Sequence, residues 1–144
     1  MTTSETDQTL TSAPPTDSQS ENLIPKFEAH LQTIYLEARE LLIKKDYEGS
    51  VTKYNKYTSD YSQFSLSTIP DPVELARFKS AQEKKLAIVY TNLSVCHRNT
   101  GNANLAVELA TKAGTFDTDY LKSYFRKAEA LRDLKQYKLA LTEC

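Results

Sequence analysis

Two stretches of this chain match when one is slid along the other by 34 residues. "YTNLSVCHRNTGNANLAVELATKA" laid over "YFRKAEALRDLKQYKLALTEC" puts Tyr90 on Tyr124, Asn92 on Arg126, Ser94 on Ala128 and Ala106 on Ala140. A fixed period of this length means one supersecondary unit repeated along the chain, so it constrains the fold more than any single motif. An earlier copy lies in "IYLEARELLIKKDYEGSVTKY", where Ile34, Ala38, Tyr47, Ser50 and Tyr54 take the matching places. Ser50 and Ala106 are 56 residues apart, so 22 extra residues, 65–86, separate the first and second copies. The small residues of each copy mark where two helices cross closely, because a large side chain there holds the backbones apart.

Apolar spacing predicts the helices. Phe27, Leu31, Ile34, Ala38 and Leu41 form a stripe from about Pro25 to Lys45, and "KKDYEG" carries a turn. Tyr47, Val51, Tyr54, Tyr57 and Tyr61 form a second stripe, followed by the loop "SQFSLSTIPDP". Asp71, Pro72 and Glu74 supply an N-cap, a first-turn proline and an acidic third position for a helix running to about Thr100. Gly101 suits the end of that helix. A fourth helix spans roughly 103–113, a fifth 120–134, and a sixth starts near Tyr137. In the fifth, Leu121, Tyr124, Ala128 and Leu131 read as a buried stripe with Lys122 and Arg126 beside it. No proline occurs after position 72. The fold class is therefore all-α, in antiparallel helix pairs. Residues 1–22, rich in Ser, Thr, Gln, Asp and Pro, lack the apolar surface to offset ordering entropy and are expected to be a disordered tail. Residues 23–144 form the repeat domain, with units at about 31–64, 87–120 and 121–144 and the insertion 65–86. The third unit stops at Cys144, within its second helix, which leaves a face for a short frayed helix, further chain or a partner to cover.

Composition narrows the function. The net charge is −1, and residues 1–25 hold four acids and no Lys or Arg, so the remainder carries about +3. That is too weak for a surface that tracks nucleic-acid phosphates. No apolar run approaches a membrane span, and the N-terminus lacks the basic start and apolar core of a signal peptide. Cys96 and Cys144 sit in helical contexts, which points to free thiols and a reducing, cytoplasmic setting. His97 and His30 have no partner His or Cys at ligand spacing, so no metal is expected. No phosphate loop and no nucleophile–base pattern is present, so neither a catalytic residue nor a cofactor is expected.

A 34-residue helix–turn–helix period with small residues at the crossing points resembles the tetratricopeptide repeat. The resemblance covers about residues 28–144. It implies a right-handed superhelical stack of about three units whose first helices line a concave groove. It also implies a protein–protein adaptor. Some members of the family clamp the C-terminal carboxylate of heat-shock chaperones, which end in Glu-Glu-Val-Asp, with an Asn in the second repeat and a Lys and an Arg four apart in the third. Asn92, Lys122 and Arg126 fall on those places. The family's first-repeat Lys and Asn are replaced by Tyr35 and Arg39. Leu42, Val95, Arg98 and Phe125 are the further groove contacts implied, with an acidic peptide tail as the partner. The spacing of the repeats, with the insertion after the first, is similar to that of large immunophilin co-chaperones. The other expectation is a structural scaffold that docks a larger protein through the groove or the C-terminal face, without carboxylate recognition.

Overall fold

The computed structural model describes residues 16–143, with side chains over 23–138. Five α-helices make up the described chain: α1 (Thr16–Ile43), α2 (Tyr47–Gln63), α3 (Pro72–Asn99), α4 (Ala103–Phe116) and α5 (Leu121–Glu143), with a short 3-10 turn at Leu66–Thr68. The described residues are all helix and connection, as expected of an all-α chain. None of these helices is long and apolar enough to cross a membrane. Most of the expected tail, residues 1–15, lies outside the described residues, and the backbone is already helical at Thr16, ahead of the expected start at Pro25.

Two turns reverse the chain by the same chemistry. After α1, Asp46 N–H donates to the Leu41 carbonyl and Lys45 N–H to that of Leu42, with Lys45 at φ 65°. After α3, Asn102 N–H donates to His97 and Gly101 N–H to Arg98, with Gly101 at φ 88°. Both are the paired bonds of a helix ended by a left-handed residue. In each case the next residue is an N-cap. Asp46 accepts from the Gly49 amide at 3.0 Å, and Asn102 from the Leu105 amide at 3.3 Å. Connections this short return the following helix antiparallel to the one before.

The fifth and sixth helices expected from sequence are one. Helix α5 runs without interruption through 134–137. The 34-residue register explains the difference. It places Gln136 where Asn102 caps α4 and Asp46 caps α2. Glutamine is outside the short-side-chain set that accepts from the amides of a first helical turn, and no glycine or proline interrupts the run. A second expectation fails for the same reason. Leu121, Tyr124, Ala128 and Leu131 face outward, with Leu121 76% exposed, because no returning helix lies over them. The buried face of α5 is instead Ser123 and Ala130, two turns apart.

The main core joins α1, α2 and α3 through Leu31, Ile34, Tyr54, Tyr57, Leu86, Val89 and Leu93. A smaller one of Ile24, Ile69 and Phe78 fixes the start of α3 and the loop before it against the start of α1. Phe27 and Phe64 stack beside it with ring centroids 4.2 Å apart. Each helix packs on its neighbours in the chain, and α3 also touches α1 and α5. The helix pairs close on small residues. Ser50 Oγ on α2 donates to the Ala38 carbonyl on α1 at 2.8 Å, and Ser94 Oγ on α3 donates to the Ala106 carbonyl on α4 at 2.7 Å. All four residues are buried. The crossing is the same in both pairs, with the hydroxyl on opposite helices.

Two outcomes test this account. Ser50→Ala and Ser94→Ala should each lower stability by about 1 kcal/mol, the usual worth of one hydrogen bond. Ser50→Leu, which adds bulk at the crossing, should cost roughly 1–3 kcal/mol by overpacking. Urea denaturation reads both. Separately, Lys135→Gly with Gln136→Asn should install the turn chemistry of 101–102, and backbone NMR shifts at 134–137 should leave the helical range while α1 to α4 stay unchanged.

Candidate peptide-binding face

The contacts of α3 with α1 and α5 bring three helices to one face. From α1 it receives Gln32, Tyr35 and Arg39, spaced at three and four residues and hence on one side of that helix. From α3 it receives Lys85, Ile88 and Asn92, and Lys85 and Asn92 are two turns apart. On α5, Lys122 and Phe125 are exposed and Arg126 is half-buried. Tyr120 lies just before α5. Its phenol is raised above the ordinary value mainly by burial, and it feels both Tyr35 of α1 and the Arg126 guanidinium.

Asn92 is half-buried, and its Nδ2 donates to the Tyr54 hydroxyl at 2.8 Å. Tyr54 is buried in the core, its ring set edge-on to Tyr35 at 6.2 Å. Burial holds the Tyr54 phenol far above its ordinary value, so it stays protonated at any physiological pH. In this arrangement the hydroxyl accepts from the Asn92 amide nitrogen. Tyr54 was legible in the sequence only as a packing residue, because the pairing spans two helices and 38 residues.

The cations differ in how they are held. Arg98 Nε donates to Asp133 Oδ2 at 2.5 Å, and Arg98 Nη1 lies 3.4 Å from Glu129. Arg126 Nη1 donates to the same Glu129 carboxylate at 2.9 Å, and its guanidinium lies 5.6 Å from the centroid of the exposed Phe125 ring. Arg98, Glu129, Arg126 and Asp133 thus lock α3 to α5, and Arg98 is occupied within the protein. Lys122 and Arg39 are exposed, with no acidic partner among the described residues. The acids flanking Arg39 are taken elsewhere, Glu37 by Lys53 at 3.1 Å and Glu40 by Lys44 at 3.7 Å. Leu42 and Val95 are half-buried. Sequence reading missed Lys85, whose Nζ sits 4.1 Å from the Tyr35 ring centroid and 3.3 Å from Gln32 Oε1. Its signal was the seven-residue spacing to Asn92.

His97 is half-buried beside Tyr47, Glu48, Val51 and Thr100, and burial lowers its imidazole. Cys96 is fully buried, its thiol pushed up by that burial, which leaves it a packing residue rather than a nucleophile.

The α3–α5 lock has a pH signature. The Arg98 guanidinium holds the Asp133 carboxyl below its ordinary value of 3.8. A folded value below the unfolded one gives stability that is present above the ordinary carboxylate range and is lost as pH falls through the folded value. Asp133 should therefore titrate below about pH 4 by carbon-detected NMR. Arg98→Ala should move that midpoint upward, with loss of the acid-side stability difference.

No family model matches the chain. No solved structure matches it. Among curated proteins it is similar to zinc finger CCCH domain-containing protein 7B of Homo sapiens, with 29% identity over 116 residues. That match covers 79% of this chain and 10% of the relative, so the chain spans about a tenth of the protein it resembles.

Proposed function

We propose that this chain is a tetratricopeptide-type module, a superhelical stack of helix pairs that serves as a protein–protein adaptor. Its ligand is an acidic C-terminal peptide held on the face shared by α1, α3 and α5, and its partner is the tail of a cytoplasmic heat-shock chaperone. The role is that of a co-chaperone in the cytoplasm. What supports the reading is the Asn92 amide, bonded through its nitrogen to Tyr54, together with Lys122 and Arg39, which are exposed and have no acidic partner of their own among the described residues. A terminal Asp presents two carboxylates at once, and two cations with an amide donor suit that paired charge. Arg126 joins by trading part of its contact with Glu129 for the ligand. Phe125, Val95 and Leu42 offer apolar surface to a ligand side chain, as expected of extended-peptide recognition.

A second reading rests on α5. Leu121, Tyr124, Phe125, Leu131 and Tyr137 are all exposed on that one helix, which suits a scaffold that docks a larger protein there without carboxylate recognition.

Calorimetric titration separates the two. A peptide ending in Met-Glu-Glu-Val-Asp should bind at micromolar concentration, and its C-terminally amidated twin should lose most of that affinity. Lys122→Ala with Arg126→Ala should abolish it while the circular dichroism spectrum is kept. Equal binding of the amidated peptide, or no loss in the double variant, would remove the carboxylate reading and leave the scaffold.

A further inference from the structure

The outward side of α5 carries a regular pattern. Leu121, Tyr124, Ala128 and Leu131 recur at spacings of three, four and three residues, and all four are exposed. That spacing is the apolar seam of a helix that pairs with another helix, the a and d positions of a heptad. Ala128 holds the place of Ala38 on α1 and Ser94 on α3, both of which are buried under a neighbouring helix. Tyr124 is set beside Ala128 by its own hydroxyl, which donates to the Thr118 carbonyl at 2.9 Å. The charges around this stretch are segregated. Asp117 and Asp119 stand in the turn ahead of α5, and Arg132, Lys135 and Lys138 are exposed toward its other end. Glu129 and Asp133 are drawn inward onto Arg98, so those three cations have no ion-pair partner among the described residues.

We propose that this seam joins α5 to α5 of a second copy of the chain, in an antiparallel pair about a two-fold axis. The pattern is self-complementary in one register. With the second helix reversed and Tyr124 laid over Ala128 of the second copy, Leu121 meets the second copy's Leu131, and both contacts recur across the axis. A ring then covers a methyl group, and leucine packs on leucine. The layers run from Leu121 to Leu131, about 15 Å of helix. The same register sets Arg132 and Lys135 over the Asp117–Asp119 turn of the second copy, so the cationic end of each helix lies on the acidic end of the other. A parallel pair would set Arg132, Lys135 and Lys138 against themselves, and flanking charges of this kind decide helix orientation. The apolar patch is on the order of 300 Å² per copy, the size at which exposed apolar surface marks an interaction site. A standard interface takes about 800 Å² from each partner, so the charged flanks supply the remainder and the dimer is a dissociable one. The contact gives the α5 surface of the second reading one occupant. Lys122 and Arg126 fall outside the seam, so the peptide-binding reading does not depend on it.

Sedimentation equilibrium of the full chain should show a monomer–dimer equilibrium with a midpoint in the micromolar range. Ala128→Arg, which puts a long charged side chain under Tyr124 of the second copy, should weaken it roughly tenfold or more. The position is exposed, so the circular dichroism spectrum should be kept. Orientation is read by disulfide trapping in a Cys144→Ser background. Leu121→Cys and Leu131→Cys should each stay uncrosslinked when oxidised alone, and a mixture of the two should give a covalent dimer. Four results overturn the seam: a monomer up to millimolar concentration, an Ala128→Arg variant that dimerises as tightly as the wild type, no covalent dimer from the mixture, or crosslinking of either variant alone. A monomer would leave the α5 surface to a different protein, while the peptide titration judges the carboxylate reading by itself.

Discussion

The structure depends on how closely its helices approach within each pair. At both crossings one serine hydroxyl bonds directly to a carbonyl of the facing helix, Ser50 to Ala38 and Ser94 to Ala106. A hydroxyl that short reaches a backbone oxygen only when nothing larger than a methyl group intervenes, and the partner at each crossing is alanine. This contact fixes α2 on α1 and α4 on α3, and through the core of Tyr54, Tyr57 and Leu93 it sets where α1 and α3 stand relative to each other. The face that carries Tyr35, Arg39, Lys85 and Asn92 follows from that spacing.

The third copy behaves differently although its sequence keeps the small residues. Ala128, at the place of Ser94 and Ala38, is exposed, because α5 continues where the earlier copies turn. Closing a helix pair needs two conditions, small residues at the crossing and a residue able to start the returning helix. Asp46 and Asn102 meet the second condition, and Gln136 does not. The ion-pair group of Arg98, Asp133, Glu129 and Arg126 holds α5 on α3 in place of a packed partner helix.

Much of the fold was legible in the sequence. The Asp71–Pro72 start of α3 is written in capping chemistry, and the turn at Gly101 in a residue that accepts positive φ. The continuity of α5 was also present, in the identity of Gln136, but it emerges only when the repeat register is laid over the caps rather than over the apolar positions. The face was less legible, for a physical reason. A helix pattern says which residues share a side, not which groups across helices take up one another's charge. Arg98 reads as a groove cation and is held by Asp133, while Lys85 reads as an ordinary surface lysine and lies over Tyr35. The serine crossings show the same limit, since the hydroxyl changes helix between the pairs. A single-position comparison sees two unrelated substitutions where there is one conserved kind of contact.

The Asn92–Tyr54 bond has a consequence for the energetics of recognition. An exposed asparagine samples several rotamers, and fixing one on binding costs conformational freedom. Here that freedom is already lost on folding, because the amide nitrogen is anchored to a buried hydroxyl. The carbonyl oxygen and second hydrogen of the amide are held in place before any ligand arrives. For a ligand of the kind proposed, an amide already anchored on folding would add little entropic penalty at this position.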